Sequence, residues 1–537
     1  MKKDIVAIAV IAMLMGCGSD GDDDGDGDVD RGDGRDTDSL DIGAIAGVWA
    51  DTTVTDGTAD DAFIVLRFDG SAANGSIVAA SANDEGLGCP DEIFRGITAD
   101  GDRSFSAEGL VADGSGTEWV PAKLTLSADD EIAVTYTCDG CSPALDVLAR
   151  RDDDAEPLSP VLIQEDIRTD RTLTNVICDS EEPDYRVRGV VGIDALLSVE
   201  PGVVVEFESN AGLEVNEFGD GALQALGTRD ARVVFTGAIQ TPGFWRGLVI
   251  RTDDGRNELK YVTVEYAGSD VIADDIKDGL TGGIAVNVEP GSVAASLKLT
   301  DAIVRENEGY GLIVEWFGRL REFSNNTFTN NTAAAVITEA GNVGALDAAS
   351  SYTGGNGFEG VEIARTGAAN SLREDATWPA FDDGSTYYVS GSVVIEATLT
   401  IAPGATLAFE AGAEMVFGVP FGRPEGVIRA LGTSSAPITF TGWEKTRGFW
   451  KGIVIQSVSD QNAMRHCVVE YGGSEAIFGG TAANVSLDVV SFAPSLTISN
   501  SRIRDSDGCG IYVQSGGPGL DESDNTFSNN RSGEVCF

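Results

Sequence analysis

Gly243-Phe244-Trp245-Arg246-Gly247-Leu248-Val249-Ile250 returns later in the same chain as Gly448-Phe449-Trp450-Lys451-Gly452-Ile453-Val454-Ile455, 205 residues on. The neighbouring segments return in the same order. Ala225-Leu226-Gly227-Thr228 recurs as Ala430-Leu431-Gly432-Thr433, and Phe235-Thr236-Gly237 as Phe440-Thr441-Gly442. Val264-Glu265-Tyr266-Ala267-Gly268 recurs as Val469-Glu470-Tyr471-Gly472-Gly473, and Val199-Glu200-Pro201-Gly202 as Ile401-Ala402-Pro403-Gly404. Towards the ends, Asn325-Asn326-Thr327-Phe328 pairs with Asp524-Asn525-Thr526-Phe527. Similarity that keeps its order over this length identifies two copies of one unit, about 185–365 and 387–537, within a region spanning 160–537.

Inside each copy, apolar segments of three to six residues recur at roughly 20-residue intervals, separated by Gly, Asn and Pro-Gly turns. Helical periodicity is nearly absent. A single such turn cannot bury its own apolar face, so the turns must stack. Stacking at about 4.8 Å pairs backbone groups between coils and lines the inward side chains into one column. The expected fold class is all-β, a parallel β-helix. Paired Asn steps at Asn325, Asn326, Asn330, Asn331, Asn529 and Asn530 fit turns whose amides ladder from coil to coil, since Asn tolerates a left-handed backbone.

The segments from Leu197 to Phe207 and from Phe244 to Ile250 resemble the right-handed β-helix repeats of the pectate-lyase-like superfamily. They look most like bacterial surface lipoproteins with a Gly-x-Trp-x-Gly-(Ile/Leu) signature. The resemblance covers about 70% of the chain and implies a fold rather than an activity.

The N-terminus reads as an address. Lys2 and Lys3 precede an apolar stretch, Ile5 to Met15, too short to span a bilayer. It ends in Leu14-Met15-Gly16-Cys17, which resembles a bacterial lipobox. The resemblance implies a signal peptide over 1–16, lipidation at Cys17, and an outer-membrane anchor in the bacterial cell envelope. Residues 17–41 form an acidic tether of Asp and Gly with no apolar residues to bury. Within it Asp22, Asp24, Asp26, Asp28, Asp30 and Asp33 follow the spacing of a calcium loop, with Gly27 at the turn. The last ligand is Asp rather than the longer Glu and no helices flank it. A solvated spacer is the better reading, and any Ca2+ binding there is weak. No other cofactor is expected.

Over 42–152, short apolar runs alternate with Gly- and Asp-rich turns, which predicts a small antiparallel barrel or sandwich. Its opening, Gly47-Val48-Trp49, faintly resembles lipocalin-like domains. Cys89, Cys138 and Cys141 fall here, and a secreted protein is expected to form disulfides. Cys138 or Cys141 is expected to bond Cys89. Cys509 and Cys536 are expected to clip the C-terminal coil, and Cys467, inside an apolar run, to stay unpaired.

The formal charge of −51 excludes nucleic acid as a partner. The lone histidine, His466, excludes a His-rich zinc site and reads as a structural residue of an apolar strand. Asp253, Asp254, Glu265, Asp270, Asp274, Asp275 and Asp278 form the densest acidic set. A chain with 87 acids shows such sets without purpose, and catalytic residues are rarely needed twice. The candidate ligand-binding residues are Trp245 and Trp450, with Phe244 and Phe449 before them and the equivalent Glu265 and Glu470. Exposed, the Trp rings would stack on a sugar; buried, they are a packing signature of the repeat. The reading that results is a surface lipoprotein, more a binder than an enzyme. Its partners would be the membrane, through Cys17, and a polysaccharide or surface protein along the β-helix flank. The alternatives are a β-helix polysaccharide lyase or glycoside hydrolase, with paired carboxyls on one face, and a structural or adhesive stalk.

Overall fold

The computed structural model describes residues 160–537 apart from 178–181, 217–219, 274–275, 288–293, 365–370, 419–424, 477–479, 490–492 and 515–518. Before residue 160 it describes strands between Gly47 and Arg150 and a few residues beside them. Cys17, Cys89, Cys141 and the six aspartates from Asp22 to Asp33 lie outside the described residues.

Eight antiparallel strands between Gly47 and Arg150 follow one another round a closed barrel. The first, Gly47–Asp51, pairs with both Ile64–Asp69 and the last, Val147–Arg150. Closure removes the sheet edges. Along Glu131–Tyr136 exposed and buried residues alternate, so Ile132 and Val134 point inward. Trp49, Phe94, Phe105 and Leu124 are buried with them. Cys138 is disulfide-bonded.

From Val161 onward the chain winds as a right-handed parallel β-helix. One sheet of thirteen strands runs its length, from Val190–Ile193 to Thr526–Ser528. In the first copy it is flanked by a six-stranded sheet, Arg171–Leu173 to Gly318–Ser324, and a seven-stranded one, Val161–Ile163 to Thr327–Thr329. In the second copy a seven-stranded sheet, Ser371–Leu372 to Gly533–Cys536, and a six-stranded one, Ala376–Trp378 to Gly519–Ser523, take over. Strand by strand, inward residues such as Leu213, Leu248, Ile284, Leu312 and Val336 stack in register. The coils are less regular than the 20-residue rhythm implies. Val191 to Leu213 is 22 residues, but Leu213 to Leu248 is 35, because loops are inserted at the corners.

The two copies do not sit on the same faces. Gly247–Ile250 belongs to the long sheet, whereas its counterpart Gly452–Ile455 belongs to a flanking sheet. Conversely, Val262–Glu265 is on a flanking sheet and its counterpart Cys467–Glu470 is on the long one. The second copy is therefore offset by one face. The offset arises at the joint, where a single 3-10 turn, Val343–Ala345, stands where the six-stranded sheet of the first copy has ended.

Corner chemistry follows the paired-Asn reading. Asn325, Asn330 and Asn529 take left-handed backbone, with φ of 56°, 55° and 56°. The residue after each is the ladder. Asn331 Nδ2 donates to Asn356 Oδ1 at 3.0 Å, and Asn331 Oδ1 accepts from Asn307 Nδ2 at 2.9 Å. These amides satisfy backbone groups that the bends leave unpaired, Asn331 reaching Val304 O at 3.1 Å. His466 also sits at a left-handed corner, φ 47°, so the run from Arg465 to Tyr471 is broken there rather than being one strand. Cys509 and Cys536 form the C-terminal disulfide, and Cys467 is a buried free thiol.

A second apolar cluster lies outside the coil. The segment following Val262–Glu265 folds back over the long sheet. Ile272, Ile276 and Leu280 cover the outward-facing Val249, Ala285, Ile313 and Ile337. That flap explains how outward positions on this sheet stay apolar.

Candidate functional site

The residues singled out in the repeat are structural. Trp245 and Trp450 have no exposed surface, so neither ring is available to a sugar, and the stacking expectation is corrected. Trp245 lies on Phe207 with centroids 3.9 Å apart and planes at 10°; Trp450 lies on Phe409 at 4.1 Å and 7°. Each indole N–H donates across the corner, to Glu265 O at 2.7 Å and to Glu470 O at 2.9 Å. The flanking glycines have equally local reasons. Gly247 has φ +124°, and a Cβ there would lie 2.7 Å from Gly282 O; Gly452 has φ +128° and would meet Ala483 O at 2.5 Å. Phe244 and Phe449 are half-buried and cover Gly237 and Gly442.

Glu265 and Glu470 are also buried, and each is braced twice. Glu265 accepts from Thr236 Oγ1 at 3.0 Å and Arg305 Nη2 at 2.7 Å. Glu470 accepts from Thr441 Oγ1 at 2.9 Å and Arg504 Nη2 at 2.6 Å. The corrected reading is a repeated Glu–Arg brace between adjacent rungs. The offset by one face also sends the two braces in different directions around the axis. The acidic set is dispersed: Asp253 pairs with Arg321 and Asp254 with Arg256. Asp274 and Asp275 lie outside the described residues. Among the described residues no group of three or more metal-ligating His, Cys, Asp or Glu side chains occurs.

The joint supplies the cleft that the sequence did not single out. It encloses about 380 Å³ between the corner carrying Trp316 and Phe317 and the edge strand Ser371–Leu372. Volumes of this order are usual for ligand clefts. The two rings stack on each other at 5.3 Å and 11°, yet remain 39% and 48% exposed. Phe317 holds a left-handed backbone, φ 65°. For a bulky aromatic residue that costs on the order of 1–3 kcal/mol and is retained where the surroundings enforce it.

Polar residues line the same cleft. Asn342 Nδ2 and Ser371 Oγ are buried and make no hydrogen bond. Arg319, Arg373 and Glu374 are also in the lining. Glu339 is part of the lining, and burial pushes its carboxyl up to about 7 against the pull of Arg373. The cleft thus offers a flat apolar platform, unspent hydrogen-bonding groups and two guanidinium groups. The copy comparison held the signal that finds it. Where the first copy has Glu315-Trp316-Phe317-Gly318, the second has Gln514-Ser515-Gly516-Gly517-Pro518-Gly519, with no aromatic residue. An aromatic pair present in one copy only is not required by the repeat.

Fold and site together define a class, a right-handed parallel β-helix whose long sheet runs through the joint while its flanking sheets end and restart there. Residues 372–492, most of the second copy, match the model of a pectate-lyase-like beta helix domain. No curated protein and no solved structure matches the chain.

Proposed function

We propose that the protein is a non-catalytic binder that holds a saccharide chain in the cleft at the joint, anchored to the bacterial cell envelope by lipid on Cys17. The observation that carries the reading is the exposed Trp316–Phe317 stack beside unpartnered Asn342 and Ser371. A sugar ring presents an apolar face to the aromatic platform and hydroxyls to the buried polar groups, which are otherwise unsatisfied. The test is a glycan array and calorimetry on the protein, with Trp316→Ala and Trp245→Ala beside the parent. Binding lost in the first variant and kept in folded protein of the second supports the reading. Binding that survives Trp316→Ala overturns it.

A hydrolytic second reading rests on Glu339, whose carboxyl is poised to hold a proton near neutral pH in the same cleft as Glu374. Release of reducing ends from the bound polysaccharide, lost in Glu339→Gln, would favour it. Binding without release favours the non-catalytic reading.

A further inference from the structure

A separate pocket lies on the outer face of the long sheet, also near the joint but away from the Trp316 cleft. Its centre is Glu362, on the strand Phe358–Ile363 and only 5% exposed. Glu362 is already satisfied. Lys277, brought by the flap, places Nζ 3.1 Å from Oε1, and Tyr310 donates its hydroxyl to Oε2 at 2.6 Å. Lys277 Nζ is also 3.0 Å from Tyr310 Oη and 5.7 Å from the ring centroid. The protein therefore seats one alkylammonium here itself, by a carboxylate, a phenol and an aromatic ring.

Beside that arrangement is a cavity of about 160 Å³ lined further by Ile276, Ala364, Tyr388, Ser390 and Glu410. Its charge is one-sided. The Lys277 ammonium is balanced by Glu362 and gives two of its three donors to Glu362 and Tyr310 Oη, and the Tyr310 proton also goes to Glu362. The Ser390 hydroxyl donates to Ile363 O at 3.4 Å, which leaves its lone pairs. Glu410 is exposed and makes no ion pair with a described residue. Tyr388 is pushed up to about 12, chiefly by burial and then by Glu410 and Glu362, so it stays a neutral phenol. Beside one Lys277 N–H and the Tyr388 hydroxyl, what remains is one uncompensated carboxylate, the Ser390 lone pairs and a ring face. An –NH3+ group has three donors and no acceptor and is attracted by both carboxylate and ring. The net charge of −51 raises the local concentration of cations. One free carboxylate is too few to replace the oxygen shell of a divalent metal.

We infer that this pocket binds a primary alkylammonium group, with Glu410 as its counter-ion and Tyr388 as its aromatic wall. The body of the ligand lies on the adjoining aromatic surface. Trp443, 47% exposed, packs at 5.0 Å from Tyr388 and 4.9 Å from Phe358. The ammonium of an amino sugar and that of a polyamine share this chemistry.

The test is titration of the full chain with D-glucosamine, N-acetylglucosamine and putrescine, using Glu410→Gln, Trp443→Ala and Trp316→Ala. The expected result is binding of the charged amines, none of the acetylated sugar, and about tenfold or greater loss in Glu410→Gln. Glu410 is exposed, so the variant keeps the parent's circular dichroism and thermal midpoint. The amine of higher affinity, glucosamine or putrescine, identifies the source, and Trp443→Ala weakens its binding; no loss in Trp443→Ala overturns the placement of the ligand on the aromatic surface. Equal binding of N-acetylglucosamine, unchanged affinity in Glu410→Gln, or displacement of the amine by calcium overturns the inference. Trp316→Ala leaves amine binding intact, so failure here and failure of the cleft are told apart.

Discussion

Replacing Trp245 by Ala tests whether the repeated Trp is a structural wedge. Its ring has no exposed surface and is stacked at 3.9 Å on Phe207. Truncating a buried Trp costs about 3–5 kcal/mol, from lost transfer energy and the cavity left behind. The variant also leaves Glu265 O without the 2.7 Å indole donor, which adds about 1 kcal/mol. The expected loss is about 4–6 kcal/mol. In a solenoid it falls mainly on the altered coil and its neighbours. Hydrogen exchange should therefore show deprotected amides in Val204–Phe207, Val233–Gly237 and Gly247–Ile250, with a lower urea midpoint for that transition. Trp316→Ala is the control. Its ring is substantially exposed, so stability should change by no more than about 0.5 kcal/mol. Glycan affinity should instead fall by roughly ten- to a hundred-fold, the effect of removing a central aromatic anchor. A cost below about 1 kcal/mol in Trp245→Ala, or loss of glycan binding in the fully folded variant, contradicts the wedge role.

Acidification from pH 8 towards pH 5 should stabilise the fold. Burial pushes Asp184 up to about 6 and Glu339 and Asp488 up to about 7, so over this window the folded state binds more protons than the unfolded one. The contribution is fully present below the unfolded values near 4 and is lost as pH rises through 6 to 7; urea midpoints at three pH values check the sign. Reducing the Cys509–Cys536 bond, whose separation is 27 residues, should cost about 3–4 kcal/mol, confined to the last coils. Mass spectrometry should then show new exchange at Cys509–Val513 and Gly533–Cys536, while Cys467 stays unreactive to thiol reagents until global unfolding. Asn331→Ala removes the middle of an amide ladder, taking the side-chain donor from Val304 O and the acceptor from Asn307 N and Nδ2, while Asn356 Oδ1 keeps the backbone N–H of residue 331. A loss of about 2–4 kcal/mol is expected, with Asn330→Gly near neutral because Gly accepts the left-handed corner.

The repeat made the fold legible because its conserved-spacing residues are the ones the coil cannot do without. Two glycines take backbone that side chains resist, a Trp fills a corner, and Asn pairs turn the chain. The same property makes these residues poor markers of a site. Trp245 and Trp450 recur because packing needs them in both copies, and for that reason they are hidden. Residues free of the repeat carry the cleft. Trp316 and Phe317 have no aromatic counterpart, and Glu339 and Ser371 line one cleft at the joint, where a short 3-10 turn follows the last strand of the six-stranded sheet. The offset by one face could not be read in advance, since it depends on which strand the chain stacks next after the joint. Lys277 and Glu362 are 85 residues apart, and nothing local links them. The eight-stranded barrel was half legible: alternation gave antiparallel strands, but closure depends on a long-range pairing of Trp49 with Arg150.

Along the long sheet both copies wind as one uninterrupted stack through the joint. Val190 and Arg502 are both exposed and occupy the same column of the long sheet, eleven rungs apart. At about 4.8 Å per rung, spin labels introduced at these two positions should give a single narrow pulsed-EPR distance near 53 Å, broadened only by the label arms. A broad distribution, or a main distance below about 40 Å, would mean that the copies fold as separate bodies and that the cleft between them does not exist as described.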